Sequence, residues 1–297
     1  MSKRMQGNVM LLITAMIWGS AFVAQSKGME YIGPFTFNVM RNFIGGIVLL
    51  PVIALFSRGR KYEPEEKKQL NKNTLVGGIC CGLVLFLASS FQQYGLVHTT
   101  AGKAGFITAL YIVIVPLLGV FMGKKIPKII WGCVALAIAG FWLLCIKEGF
   151  TVGLGDLMVL ICALFYSMHI VTIDHFSPRV DGVKMSCIQF FTAGVISIVP
   201  MLLFEVPQAS AIMDAIWTIL YAGVLSSGVA YTLQIIAQRH TEPTVATLLM
   251  SLESVFAALS GWLILNESLL PKELLGCVLV FIAVILAQIP LPVKTKK

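Results

Sequence analysis

The 297-residue chain is 58% apolar and 12% charged, with a formal net charge of +8. A soluble domain of this length carries about twice that share of charge, so the composition excludes a water-soluble fold and defines an integral membrane protein. The basic excess does not signal nucleic acid, because Lys and Arg fall between apolar runs rather than on an aromatic-interleaved face, and membrane topology explains that distribution.

From the N terminus, Met1–Gln6 is basic. The apolar run behind it is of spanning length and lacks a small-residue cleavage site, so it is expected to be a first span rather than a cleaved signal. Ten runs reach or approach the roughly 20 residues that a helix needs to cross a core of about 30 Å. They cover residues 9–26, 35–56, 75–97, 103–122, 129–146, 156–174, 185–204, 213–236, 244–265 and 273–289. Connections are short except for Ser57–Asn73 (SRGRKYEPEEKKQLNKN), expected to be a solvated loop. An even number of spans puts both ends of the chain on one side. Of the 22 Lys and Arg residues, seventeen fall on the side of the termini, four on the other, and Arg41 lies within a span. The positive-inside bias then places both termini in the cytoplasm. The seven cysteines lie in apolar runs without metal-type spacing and are expected to be small packing residues. No metal or cofactor is expected.

The ninth run, 244–265, carries one carboxylate, Glu253, near its middle. At that depth a carboxylate must face the bundle interior, find a partner or share a proton. The region has an earlier copy. His98-Thr99 is repeated as His240-Thr241, and at the same offset of 142 Ala104 matches Ala246, Gly119 matches Gly261 and Tyr111 matches Glu253. After a two-residue slip, Pro127-Lys128 and Gly132-Cys133-Val134 return as Pro271-Lys272 and Gly276-Cys277-Val278. The chain therefore divides into repeats at 1–150 and 151–297. Five spans is an odd number, so the second copy enters the membrane in the opposite sense. The expected fold is an all-α integral membrane protein of ten transmembrane helices, built as two inverted-topology five-helix repeats. Such repeats let a carrier exchange inward-open and outward-open states around a midplane site.

Four stretches resemble the drug/metabolite transporter superfamily in its EamA-type ten-helix branch. They are Ala15–Phe22 (AMIWGSAF), Pro34–Gly45 (PFTFNVMRNFIG), Thr99–Leu118 (TTAGKAGFITALYIVIVPLL) and Ser251–Lys272 (SLESVFAALSGWLILNESLLPK). The last is similar to the family's mid-helix Glu-Pro followed by Gly-Glu at the helix end. Here Ser254 and Asn266 replace the proline and glycine, while Glu253 and Glu267 remain. A kink at Glu253 thus lacks its usual cause. The resemblance implies transport of a small metabolite, with coupling by protons or by exchange.

Polar and aromatic residues at helical spacing mark the expected substrate site: Trp18, Arg41, Ser90 with Gln93, Thr108 with Tyr111, Tyr166 with His169, Tyr231 with Gln234, and Glu253. Aromatic walls with a few convergent polar groups suit a small organic solute. Arg41 needs acceptors and either ties helices together or meets a carboxylate of a partner or of the solute. Glu253 is a candidate proton-coupling group or a structural acid. The expected function is a plasma-membrane carrier of a small organic metabolite, an amino acid or related solute, working as a monomer or homodimer in the lipid bilayer. A membrane-embedded enzyme is the alternative from another class, but the four histidines are scattered and no HExxH or Asp-rich metal motif occurs. A channel or scaffold is disfavoured by the lack of a like-charge ring or filter-like run.

Overall fold

The computed structural model describes residues 2–56, 63–145, 153–265 and 270–288. Several residues given a topological or motif role above lie outside the described residues: Arg58, Arg60, Lys61, Lys147, Asn266, Glu267, Lys294, Lys296 and Lys297, with the thiol of Cys145. The other six cysteines are free thiols. Among the described residues every regular element is a helix.

The first half holds α1 (Lys3–Gly28), α2 (Pro34–Phe56), α3 (Pro64–Leu96), α4 (Ala101–Thr108), α5 (Tyr111–Phe121) and α6 (Lys128–Cys145). The second holds α7 (Leu154–Phe176), a 3-10 turn, α8 (Gly182–Phe204), α9 (Ala209–Asp214), α10 (Ile216–Leu220), a π-helical segment (Tyr221–Tyr231), α11 (Thr232–Ala237), α12 (Pro243–Met250), α13 (Glu253–Leu265) and α14 (Pro271–Gln288). Eight helices, with α4–α5, α10–α11 and α12–α13 each counted as one, are long and apolar enough to cross a membrane. The described apolar part of α6, Lys128–Leu143, is shorter, and α14, 18 residues long, is also outside the eight. These two pack along each other.

The expected loop before the third span is partly helical, because α3 starts at Pro64. Proline at the first position, Glu65 and Glu66 in the first turn, then lysines further on suit the helix dipole and extend the helix into solvent.

Two spans are interrupted at matching positions. α4 gives way to α5 at Ala109–Leu110, and α12 to α13 at Ser251–Leu252, again 142 residues apart. At the first break Leu110 N bonds Ile107 O and Ile112 N bonds Ala109 O, a tightening to i−3 geometry. Pro116 adds to the bend by withholding a donor and crowding the carbonyl of Ile112. At the second break no proline is needed. The Thr247 and Ser251 hydroxyls donate to the carbonyls of Thr244 and Leu248, 2.8 Å each, and such back-bonding competes with the helix ladder. Ser254, in place of the family's proline, donates instead across to Gly105 O at 3.0 Å.

Packing follows the same duplication. α2 lies along α8 and α6 along α14, α3 rests on α7 and α8, and α1 and α2 rest on the π-helical segment. At one end of the bundle the starts of α1 and α3 meet the α7–α8 and α11–α12 links, where Lys3, Leu70, Arg179, Asp181, Arg239 and His240 line one cleft. A second cleft joins Arg4, Thr241 and Ala287, which brings the end of α14 to this same end. Here α1 approaches so closely that a Cβ on Gly7 would stand 2.7 Å from Thr241 Oγ1 and 3.2 Å from Ala237 O. At the far end α7 repeats the contact, since a Cβ on Gly155 would stand 2.8 Å from Gly95 O. The start of α2 is held at that far end by Glu205, which follows α8. Its carboxylate accepts from the amides of Phe35 and Thr36, both at 2.7 Å, and from the Thr36 hydroxyl at 2.6 Å. A carboxylate on a helix N-terminus stabilises it by about 1 kcal/mol, and Glu205 is only half-buried. Glu205→Gln should therefore lower the melting temperature of the purified protein by a few degrees, and an unchanged melt would remove this role.

Candidate functional site

The centre of the bundle contains a narrow cavity of about 30 Å³. Its walls come from both halves of the chain. Trp18, Phe22 and Gln25 share one stripe of α1, four and three residues apart, and α2 contributes Arg41. Gln92 comes from α3, Thr108 from the end of α4 and Tyr111 from the start of α5. The second half supplies Tyr166, His169 and Ile170 from α7, Ser226 and Tyr231 from the π-helical segment, Gln234 from α11 and Glu253 from the start of α13.

Two ionisable groups face this space without pairing to each other. Arg41 is 2% exposed, and its guanidinium makes one hydrogen bond among the described residues, from Nη1 to Gln25 Oε1 at 2.6 Å. Its Nε–H is buried with no acceptor. Gln25 is itself anchored by donating from Nε2 to Ala21 O at 3.2 Å. Glu253 is 3% exposed and accepts one hydrogen bond at Oε1, from the Tyr111 hydroxyl at 2.9 Å. No ion pair within 4 Å joins Arg41 to Glu253. Tyr111 and Glu253 are the mates found at offset 142, and each is the first residue of the second piece of an interrupted span.

The aromatic wall is ordered by polar contacts. Tyr231 donates to Tyr166 at 3.2 Å, Tyr166 to Gln92 Oε1 at 3.1 Å, and Gln92 Nε2 to Thr108 Oγ1 at 3.3 Å. The Trp18 ring lies 4.6 Å from the Tyr231 ring, centre to centre. Trp18 Nε1 donates to Ser226 O at 3.3 Å and the Thr14 hydroxyl to Ala230 O at 3.1 Å, so two carbonyls of the π-helical segment are used by α1. π-helical geometry displaces carbonyls from the regular ladder and often marks functional positions. His169 Nε2 lies 3.0 Å from Gln189 Oε1.

Of the eleven residues singled out from the sequence, the cavity brings together Trp18, Arg41, Thr108, Tyr111, Tyr166, His169, Tyr231, Gln234 and Glu253. Ser90 and Gln93 are not among its walls. Both are on α3, but the neighbouring Gln92 points inward, while Gln93 donates to Met29 Sδ at 3.5 Å. Successive helical residues are about 100° apart, so taking Gln93 rather than Gln92 selects the wrong face. Gln25 was legible from Trp18, being seven residues on along the same stripe. Ser226 carried no signal, because a serine in an apolar run is unremarkable until the π-helical segment exposes its carbonyl. Among the described residues no group of three His, Cys, Asp or Glu side chains is placed to hold a metal ion.

A bundle of membrane-length helices enclosing a polar, aromatic-walled cavity defines a multi-pass membrane protein of the transporter class. The chain belongs to the EamA-like transporter family, whose profile matches residues 5–146 and again residues 153–288. An "Uncharacterized transporter" of Archaeoglobus fulgidus is 31% identical, over 97% of this chain and 87% of its own length. A protein of Chlamydia muridarum named as an S-adenosylmethionine/S-adenosylhomocysteine transporter is 22% identical, over 92% of this chain and 90% of its own. A solved crystal structure superposes with a TM-score of 0.75 over 95% of this chain and 96% of its own, at 19% identity, which shows a shared fold. The protein is thus a multi-pass transporter of the plasma membrane rather than an enzyme.

Proposed function

We propose that the chain is a secondary carrier that moves an amino acid or related small metabolite by alternating access. Two inverted five-helix repeats, 1–150 and 151–297, enclose the site; α6 and α14 complete ten spans, and both termini are cytoplasmic. The observation that carries this reading is the hydrogen bond between Tyr111 and Glu253, because it joins equivalent positions of the two copies in the wall of the central cavity. A site on the pseudo-symmetry axis can be served from either side by exchanging the conformations of the halves. The gathering of Lys3, Arg4, Arg179 and Arg239 with the end of α14 supports the assigned topology. Arg41 is the receptor for a carboxylate of the solute, and the aromatic wall holds its body. S-adenosylmethionine and S-adenosylhomocysteine, named for the chlamydial relative, both carry an amino-acid head group, which agrees with this class.

Counterflow in proteoliposomes tests the carrier. A labelled amino acid should accumulate transiently against an unlabelled internal pool, with saturation at high concentration. Flux that rises linearly without saturation would instead indicate a channel. Epitope tags found on opposite sides of the membrane at the two termini would overturn the inverted-repeat reading.

A further inference from the structure

The two clefts at the end that holds the start of α1 enclose about 450 and about 330 Å³, against about 30 Å³ for the central cavity. They adjoin, since His240 lines both and the consecutive residues Lys3 and Arg4 line one each. Their chemistry differs. Lys3, Arg179 and Arg239 converge on the first, opposed by Asp181. The second is walled by Ile126, Ile129, Ile130, Val245 and Ala287, and Ile129 is 39% exposed. The positive-inside bias accounts for basic residues at this end, but not for the space between them or for the apolar wall beside it.

Among the described residues no carboxylate pairs within 4 Å with Lys3, Arg179 or Arg239. Asp181 caps α8, its Oδ1 accepting from the Lys184 amide at 3.3 Å. Arg239 is held in place by backbone alone. Its Nε donates to Ser177 O at 2.7 Å and its Nη2 to Val180 O, which fixes the guanidinium against the α7–α8 link. Its Nη1 has no protein acceptor among the described residues. A fixed guanidinium with donors to spare, beside a second arginine and a lysine, suits a phosphate group, whose oxygens accept from several cations at once.

A free phosphate would use the basic cleft and leave the apolar one empty, whereas a phosphate that carries acyl chains fills both. We infer that the paired clefts bind an anionic glycerophospholipid, its phosphate seated among Lys3, Arg179 and Arg239 and its chains running past His240 along Ile126, Ile129 and Ile130. Lys and Arg clusters at membrane ends attract anionic lipid in general, and here a cleft makes the attraction local. The bound lipid ties the start of α1 to the α7–α8 and α11–α12 links. Assigning it to the cytoplasmic leaflet rests on the topology proposed above; the binding chemistry does not.

The test uses purified full-length protein in mixed micelles and three probes. Dioleoyl phosphatidylglycerol is the candidate, dioleoyl phosphatidylcholine keeps the chains but has no net charge, and inorganic phosphate keeps the anion without chains. Phosphatidylglycerol should raise the melting temperature saturably, and the other two should bind more weakly by about tenfold or more. Lys3→Gln with Arg179→Gln should weaken phosphatidylglycerol by about tenfold or more. Lys67→Gln with Lys68→Gln, near the start of α3 and outside both clefts, should leave it unchanged. All four of these residues are exposed, so the fold is not at stake, and Arg239 with its backbone bonds is left intact. Equal losses from the two pairs would mean diffuse surface charge and overturn the site. Phosphatidylcholine or inorganic phosphate binding as tightly as phosphatidylglycerol, or no stabilisation by phosphatidylglycerol, would overturn it too. Binding in micelles does not depend on orientation, so epitope tags that put the termini outside the cell would sink the topology and the leaflet alone.

Discussion

Glutamine in place of Glu253 is expected to reduce the counterflow rate about tenfold to a hundredfold while the protein still folds. The substitution keeps size and shape and can still accept from Tyr111, but it removes the ability to ionise and to exchange a proton. Charge-assisted hydrogen bonds contribute about 1.5–3 kcal/mol each, and about 1.4 kcal/mol corresponds to a factor of ten. The fold should survive because the interruption ahead of Glu253 depends on the Thr247 and Ser251 hydroxyls, not on the carboxylate. Tyr111→Phe should cost about tenfold, since it deletes the one side-chain donor to Glu253 and leaves the charge. Initial rates in proteoliposomes measure both, and near-normal transport by the Gln variant would end any central role for Glu253. The same assay run across an imposed proton gradient examines coupling. If the Gln variant keeps whatever gradient dependence the unmodified protein has, Glu253 does not carry the coupling proton.

Asparagine in place of Asp156 is expected to loosen the far end of the bundle. Asp156, 5% exposed, gathers Lys103 Nζ at 2.5 Å, the Thr99 hydroxyl at 2.7 Å and the Gly153 amide at 2.8 Å. This cluster ties the start of α4 to the start of α7. The duplication shows what stands at the opposite end: Thr99 matches Thr241, Lys103 matches Val245, and Asn8 matches Asp156 at the offset of 148 by which the family profile begins at residues 5 and 153. The positions that correspond to this cluster at the other end are formally neutral, and there a different and more exposed ion pair, Lys124–Asp174 at 2.8 Å, joins the end of α5 to the end of α7. Lys103 is partly exposed, so the fastening is discounted for solvent screening to about 1 kcal/mol, a shift in population of roughly fivefold. A cysteine placed at Thr108, in the cavity wall, should then be labelled faster by an impermeant maleimide from the Asp156 side. The converse exchange, Val245→Lys with Asn8→Asp, should slow labelling from the other side. Equal labelling rates with and without Asp156 would show that the ion pair does not hold that end shut.

Much of this arrangement is written in residues that repeat. His98-Thr99 and His240-Thr241 give the offset, and the offset alone pairs Tyr111 with Glu253, which the fold then joins by a hydrogen bond. The interruptions beside them were not legible. Residues 103–122 and 244–265 are continuous apolar runs, and what marks the breaks is a local competition for carbonyls at Thr244 and Leu248 in one and a tightening to i−3 bonds at Ile107 and Ala109 in the other. Apolarity reports burial in lipid and is blind to that competition. The opposite error occurs before the third span, where polarity suggested a loop although Pro64, Glu65 and Glu66 are good helix-starting residues. Gln92 and Gln93 mark the limit for the site, since adjacent glutamines differ only in the turn of a helix whose packing partners no local pattern reveals.

The close approach of Gly7 to Thr241 and of Gly155 to Gly95 has a use beyond tight packing. One added carbon at either place is a doorstop: Gly7→Ala should wedge the bundle ajar where the polypeptide starts, and Gly155→Ala should wedge it ajar at the opposite mouth. Two single-methyl variants would then trap the same molecule facing in contrary directions.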